Sequence, residues 1–170
     1  MRKYKTFWKR LAAAMIDSVL FLPYVFFATT HKYYYYGVEL SYILIWTAYS
    51  TYCHGKYGQT LGKRLTGIAV LDVGEASLIG YKRAFLREVL WFLVSLALLV
   101  YSFAHSGNDT LVAEEVINHY DVLLSVVTVG WLVTELVTML LNAKRRAIHD
   151  YMAQSVVIDV NAPDDATLLT

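Results

Sequence analysis

Four long apolar stretches, separated by short charged segments, dominate the pattern of hydrophobic and polar positions along this chain. They cover residues 11–30, 38–57, 85–104 and 122–142. A helix needs about 20 mostly apolar residues to cross the bilayer core, which is about 30 Å thick. Each stretch is too long for a strand, and a helix satisfies its own backbone groups in lipid. The pattern therefore predicts an all-α membrane protein, a four-transmembrane-helix bundle.

The composition supports this prediction. Hydrophobic residues make up 57 % of the chain and charged residues 17 %, against about 45–50 % and about 25 % in soluble domains. A small soluble domain leaves much of its surface wet, so it cannot hide this many apolar side chains. The basic start of the chain also suits a cleaved leader, but Asp17 within the first stretch and the length of that stretch favour a retained helix.

The polar connection between the second and third stretches predicts a small sheet. Residues 66–73 are rich in strand-forming side chains, and a turn at Gly74 and Glu75 leads into residues 76–79. The late segment 155–160 has a similar character and is expected to return as a further strand. We therefore expect one membrane domain, residues 1–160, with a small cytoplasmic β-hairpin and sheet. A flexible acidic tail follows at 161–170.

Lys and Arg residues are divided unequally between the two ends of the predicted helices. Fourteen of the fifteen lie before the first stretch, around the connection between the second and third stretches, or after the fourth, and only Lys32 lies on the other side. The positive-inside rule then places both termini in the cytoplasm. We expect a multi-pass protein of the plasma membrane, the inner membrane in bacteria. An aromatic belt is expected near the outer interface: Tyr33, Tyr34, Tyr35, Tyr36, Tyr42 and Trp46.

Two carboxylates interrupt the apolar stretches. An ionisable group in the hydrocarbon core costs on the order of 3 kcal/mol, so Asp17 and Glu135 each need a reason. Counted from the cytoplasmic ends of their helices, both lie about seven residues in, so they can meet across the bundle. Pro23 also leaves the carbonyl group of Val19 without its helical donor. Asp17 and Glu135 are therefore the candidate cation- and proton-binding residues.

Polar residues also recur at helical spacing, which predicts a polar line along each helix that faces the bundle interior. A watery cavity is the alternative environment for these lines. They comprise Thr47, Ser50 or Thr51, and His54 on the second helix, Glu88, Ser95 and Ser102 on the third, and Ser125, Thr128, Glu135, Thr138 and Asn142 on the fourth. A structural alternative remains open for Asp17, which can pair permanently with Arg10 or Arg87. Arg10, Arg87, Glu88, His149 and Asp150 are expected to tune charge or to support the structure.

No enzyme chemistry is visible in the sequence. The stretch from Gly58 to Lys63 is one residue short of a phosphate loop. His149 and Asp150 resemble half of a catalytic relay, but no nucleophile stands in a supporting motif, so a loop or helix-cap role is expected for Asp150. We expect no cofactor, no metal centre and no nucleic-acid partner.

Four blocks of sequence, in order, resemble the RDD family of small membrane proteins, which is named for one arginine and two aspartates. They are RLAAAMID at 10–17, TLGKR at 60–64 with GIAVLD at 67–72, RAFLR at 83–87, and RAIHDYMAQSVV at 146–157. The resemblance assigns the family arginine to Arg10 and its aspartates to Asp17 and Asp150. Ser155 replaces the usual Thr, and Gln154 replaces the usual Gly.

The resemblance implies transport of small solutes, and cation/proton antiport is proposed for some relatives. The first hypothesis is therefore a small secondary transporter that exchanges Na⁺ or a similar monovalent cation for protons. Asp17 and Glu135 would bind proton and cation in turn, with His149 and Asp150 at the cytoplasmic mouth. Four helices are few for a transport path, so a homo-oligomer, most simply a dimer, is expected. The second hypothesis is a membrane scaffold or assembly factor that docks a partner through its cytoplasmic face.

Overall fold

The computed structural model describes residues 2–30, 35–105 and 110–162. Within these residues, a single-turn 3₁₀ helix at Arg2–Tyr4 comes first. Four long helices, two short helices and two short strands follow it. In chain order these elements are α1 (Phe7–Thr30), α2 (Tyr35–Tyr57), α3 (Leu61–Thr66), β1 (Ile68–Asp72), α4 (Gly80–His105), α5 (Thr110–Leu140), α6 (Ile148–Met152) and β2 (Ser155–Asp159).

The four apolar stretches are all helical, as predicted, and each helix begins before its stretch. The largest difference is at α5. The apolar stretches alone place the start of the last long helix near residue 122, whereas α5 already starts at Thr110. The residues before the apolar part are acidic but form a helix well, and hydropathy measures suitability for lipid rather than the tendency to form a helix.

Two helices in the described part of the chain are long and apolar enough to cross a membrane, Gly80–Ala104 and Val122–Leu140. Only 22 % and 6 % of their apolar windows are buried within the chain. The core helix of a soluble domain would be mostly buried, because that is where its apolar face finds cover. These two helices therefore present apolar surface that the chain itself does not cover.

Packing is tightest between α2 and α4, and most of the polar line of each of these two helices is buried, whereas Ser125 of the α5 line is exposed. The buried polar residues there are Thr47, Ser50 and His54 on α2 and Ser95 and Ser102 on α4. Farther along the same interface, Ile43 and Leu99 form a small apolar cluster. Between α1 and α2, the ring of Phe21 packs edge-on against Tyr42 and Trp46. Tyr33 and Tyr34 of the expected aromatic belt lie outside the described residues.

A two-stranded antiparallel sheet closes one end of the bundle, where Arg10, Lys63 and Arg87 are also found. We call this the basic end. Strand β1 pairs with β2, so that Ile68 stands opposite Asp159 and Val70 opposite Val157. The pairing of β1 with the late segment is confirmed. The inner side chains form one core with the helices, made of Ala13, Ile68, Val70, Ile79, Ala84 and Val157.

The predicted hairpin is wrong. Residues 76–79 are not a strand, and a tight turn takes their place. The Asp72 carboxylate accepts a hydrogen bond from the amide of Ala76 at 3.1 Å, and Glu75 has a φ of 62°. The chain then turns inward, so Ile79 enters the core at 6 % exposure. Strand β1 finds its partner in β2, whose Val157 side chain joins this core. The neighbouring Val156 is also fully buried, on the opposite face of the strand.

The short helix α3 is fixed at both ends by local signals. The Thr60 side chain caps its first turn and accepts from the amide of Lys63. At the other end Gly67 adopts a φ of 70°, a left-handed conformation that favours glycine, and its amide binds the last carbonyl groups. These caps hold six residues in a helix that would not form alone.

Candidate functional site

Asp17 anchors α3 to α1. Its carboxylate is almost fully buried and accepts three hydrogen bonds: from the Thr60 hydroxyl at 2.6 Å, the Gly62 amide at 2.8 Å and the Tyr49 hydroxyl at 3.0 Å. Three donors satisfy most of the oxygen lone pairs of a carboxylate. Asp17 therefore joins α1, α2 and the start of α3, and it does not pair with Arg10 or Arg87 as the structural alternative proposed.

Both arginines bind Asp150 instead. Asp150 lies on α6 with no exposed surface. Arg10 donates to one of its oxygens at 2.8 Å, and Arg87 donates to the other at 2.9 Å. Burial opposes ionisation of Asp150, but the guanidinium groups of Arg87 and Arg10 outweigh it and hold the pKa of the carboxyl group well below its usual range. This aspartate is therefore a permanent anion that joins α1, α4 and α6.

The backbone around Asp150 completes the arrangement. Its carboxylate accepts from the amide of Ala147 at 3.1 Å, which caps α6 as the sequence suggested. The Ser155 hydroxyl lies 3.2 Å from Asp150 and accepts from Arg87 at 3.1 Å. Ser155 is fully buried. Sequence analysis missed this role, although Ser155 stands at a position that the family pattern singles out.

Glu135 and His149 form the second pair of the basic end. The Glu135 carboxylate meets Nδ1 of His149 in a hydrogen bond that joins α5 to α6. On its other side, Nε2 of His149 lies 3.5 Å from Asp150. Both side chains of the pair keep some exposure, 20 % for Glu135 and 17 % for His149. Of the two candidate carboxylates, Glu135 is thus the one that is paired with a histidine.

A cavity of about 190 Å³ lies beside this pair. Helices α1, α3, α4, α5 and α6 all contribute side chains to it. Its polar lining is Arg10, Lys63, Arg87, Glu135 and His149, and its apolar lining includes Phe7, Leu11, Leu132, Leu136 and Met139. Asp17 is not part of the lining, and Asp17 and Glu135 share no hydrogen-bonding partner among the described residues. The structure therefore groups Glu135 with His149 and Asp150, and groups Asp17 with α3.

Lys63 is a cavity residue that the sequence did not single out. Burial, with the charges of Arg87 and Arg10 beside it, lowers the pKa of its ammonium group to about 8, although Glu88 and Asp17 partly oppose this. No ion pair or hydrogen bond of its ammonium group is found within the described ranges. The sequence contained part of the evidence for Lys63, since the TLGKR block resembles a family segment. Spacing alone, however, does not show that the lysine of this block points into the cavity.

The lowered pKa of Lys63 predicts how stability changes with pH. Between pH 8 and about 10.4 the unfolded chain binds the lysine proton more strongly than the folded chain does. The free energy of unfolding therefore rises with pH across this window, by roughly 3 kcal/mol or about 6–12 °C in Tm. Thermal melting in detergent should show this rise in the wild type but not in Lys63→Met. The exposed Lys82 supplies the control, because Lys82→Met should keep the wild-type rise. A rise of the same size in Lys63→Met would contradict the assignment.

A second buried polar cluster lies between α2 and α4. The Ser50 hydroxyl donates to Glu88 at 2.6 Å and lies 3.0 Å from Nδ1 of His54. His54 is 2 % exposed, and its Nε2 has no partner within the described residues. Glu88 therefore supports the α2–α4 interface, one of the roles expected for it. In the same ranges no group of three His, Cys, Asp or Glu side chains is placed to hold a metal ion.

The basic end thus unites the arginine and the late aspartate of the RLAAAMID and RAIHDYM blocks in one ion pair. The sequence model of the RDD family matches residues 4–154. The chain belongs to the RDD family. No curated protein and no solved structure matches it. In this RDD protein Arg10 pairs with Asp150 rather than with Asp17. RDD proteins are associated with membranes, which agrees with the two uncovered apolar helices.

Proposed function

We propose that this RDD protein is a small secondary transporter that exchanges Na⁺ or a similar monovalent cation for protons at Glu135. The observation that carries the proposal is the Glu135–His149 pair, which lines the cavity at the basic end. A carboxylate in an apolar helix is costly and usually has a function. Asp17 already accepts hydrogen bonds from three donors, and Asp150 is already paired with two arginines. In this proposal both aspartates therefore have a structural role.

The proposed exchange uses the pair as a proton store. In one state the pair holds a proton shared between the Glu135 carboxylate and the His149 ring. When that proton leaves, the Glu135 carboxylate can take a monovalent cation in its place, so the charge of the site is conserved. The Asp150 anion keeps Arg10 and Arg87 from binding Glu135. Proton and cation thereby compete for one carboxylate, which is the requirement for coupled exchange.

The membrane arrangement is part of the proposal. Helices α1, α2, α4 and α5 would each cross the bilayer, and the basic end with both termini would face the cytoplasm. For a bacterial chain this is the inner membrane. Only 6 % of the apolar window of α5 is buried within the chain, which leaves room for lipid or for a second copy. A homodimer is therefore included in the proposal.

Proteoliposomes provide the test. With a pH-sensitive dye inside, a Na⁺ step outside should make the interior of wild-type vesicles alkaline, whereas a choline step should not. Glu135→Gln should lower this response at least about tenfold, because it removes a charged ligand. Asp159→Asn is the control, since its carboxylate binds Lys9 at 2.7 Å on the sheet and lies outside the cavity lining. A wild-type response equal to that of empty vesicles, or unchanged in Glu135→Gln, would refute exchange at this residue.

One observation favours the scaffold alternative. Both family aspartates are fully occupied in holding helices and strands together, which is what a scaffold requires. That function predicts no Na⁺-driven proton movement in the wild type. It also predicts that a partner protein would be retained on the cytoplasmic sheet after Glu135→Gln. The same flux measurement therefore separates the two functions.

A further inference from the structure

The cavity at the basic end has two unlike walls. Helix α1 packs on α2 and α3, whereas α5 packs on α4 and α6, and the cavity lies in the gap between α1 and α5. Apolar side chains from both helices flank it, among them Leu11 with 41 % and Leu132 with 55 % exposure. Its remaining polar wall is built largely from the cations Arg10, Lys63 and Arg87. A ligand for this cavity thus needs an apolar body and a negative group.

Two nitrogen donors on the polar wall lack acceptors. Arg87 is 5 % exposed, and its Nε has no hydrogen-bond partner within the part of the chain that the structure describes. The Lys63 ammonium group is likewise unpaired there, as shown above. Arg10 differs, because its guanidinium group reaches Thr6, Asp150 and the carbonyl of Arg145. A buried donor without an acceptor costs about 1–3 kcal/mol, and an oxygen ligand beside Nε of Arg87 would relieve this cost. Lys63 is partly exposed to the cavity, so its ammonium group can reach the same ligand.

Among the charged groups of the cavity lining, Lys63 is the cation without an ion-pair partner in the described residues. Asp150 binds both arginines, and Glu135 binds His149. Asp17 and Glu88 attract Lys63 electrostatically, but neither lines the cavity, and each already accepts hydrogen bonds from its own neighbours. An anion in the cavity would therefore meet one uncompensated ammonium group and one free guanidinium N–H.

We propose that this cavity binds the phosphate group of an anionic phospholipid from the cytoplasmic leaflet, with Lys63 and Nε of Arg87 as its donors. The acyl chains would lie outside the cavity, along Leu11 and Leu132, because about 190 Å³ admits a headgroup phosphate but not a chain. Basic pockets between helices on the cytoplasmic side commonly hold lipid headgroups. The phosphate would share the cavity with Glu135, the residue proposed to exchange ions, and its binding can be measured without Na⁺ flux.

Native mass spectrometry of the full chain in detergent tests this lipid site. The protein is titrated with phosphatidylglycerol and, separately, with phosphatidylcholine. Wild type and Lys82→Gln should retain phosphatidylglycerol equally, and both should prefer it to phosphatidylcholine. Lys63→Gln should weaken retention of phosphatidylglycerol about fivefold, whereas Lys63→Arg should keep it, because one lysine near a headgroup contributes about 1 kcal/mol. Equal retention by Lys63→Gln and Lys82→Gln would overturn the proposal, as would equal binding of the two lipids.

A second variant and a second ligand complete the test. Leu132→Trp changes an exposed residue and keeps every charge, so it tests the apolar flank if Lys63→Gln does not fold. Its bulk should weaken phosphatidylglycerol binding without lowering Tm. Inorganic phosphate at millimolar concentration should raise the Tm of the wild type far less than phosphatidylglycerol does. An equal rise that disappears in Lys63→Gln would identify a soluble anion as the ligand and would overturn the lipid assignment.

Discussion

Replacement of Asp150 by asparagine is expected to lower both the yield of folded protein and its Tm. The change leaves the buried Arg87 and the partly buried Arg10 at 2.9 and 2.8 Å from a neutral amide. Removal of one partner from a buried ion pair typically costs about 3–5 kcal/mol, a large part of a total stability of about 5–15 kcal/mol. We expect Tm to fall on the order of 10 °C. Size-exclusion chromatography and thermal melting in detergent measure both effects.

Asp159→Asn is the matched control for this loss. Asp159 also forms a short ion pair, with Lys9 at 2.7 Å, but the lysine side chain is 36 % exposed. Exposed pairs contribute about 0–1 kcal/mol because water screens them. Its Tm should therefore stay within about 2–4 °C of the wild type. If the two variants melted at the same temperature, Asp150 would not be the ionic centre of the basic end.

Gly62→Ala is expected to separate α3 from α1. A Cβ atom at position 62 would lie 2.1 Å from the carbonyl oxygen of Ala13 and 3.0 Å from Cγ of Asp17. The first of these atoms belongs to the backbone of a long helix, which cannot move aside as a side chain can. Helix α3 must therefore retreat, and the 2.8 Å hydrogen bond from Gly62 to Asp17 is lost. The combined cost should reach about 2–4 kcal/mol, measured as a fall in Tm.

Gly130→Ala supplies the control for the glycine. Gly130 also lies in a helix, α5, but a Cβ atom there would meet nothing within 4 Å. Alanine in a helix interior is favoured over glycine by about 0.5–1 kcal/mol, so this variant should match or exceed the wild-type Tm. A Gly62→Ala protein that melts together with Gly130→Ala would show that α1 and α3 are not in the contact described.

Hydropathy was sufficient to predict the long helices, because burial in lipid or in a bundle requires continuous apolar stretches. Helical spacing also predicted an inward-facing polar line on each helix, and on α2 and α4 the line residues Ser50, His54 and Ser102 are buried. These features depend on residues close in sequence, so a local pattern contains them. The start of α5 at Thr110 shows the limit, since hydropathy does not detect a helix that continues past its apolar part.

The partners within the basic end could not be predicted in the same way. Arg10 and Asp17 lie on one helix and seven residues apart, which favoured their pairing. In the structure, the Gly62 amide and the Thr60 hydroxyl donate hydrogen bonds to the Asp17 carboxylate. Helix α6 places Asp150 beside Arg10 instead. Whether Arg10 pairs with Asp17 or with Asp150 depends on how α3 and α6 pack, and the spacing of residues along one helix does not predict this packing. Lys63 was missed for the same reason.

Strand β2 has a consequence for the order in which the protein is made. Its partner β1 ends at Asp72, whereas β2 begins only at Ser155. Asp150 lies five residues before β2. During synthesis the chain therefore carries Arg10 and Arg87 without their shared carboxylate until residue 150 is made, and every long helix precedes that residue. The basic end assembles last, and a chain shortened before residue 150 would possess all of its long helices yet lack the anion that joins two of them.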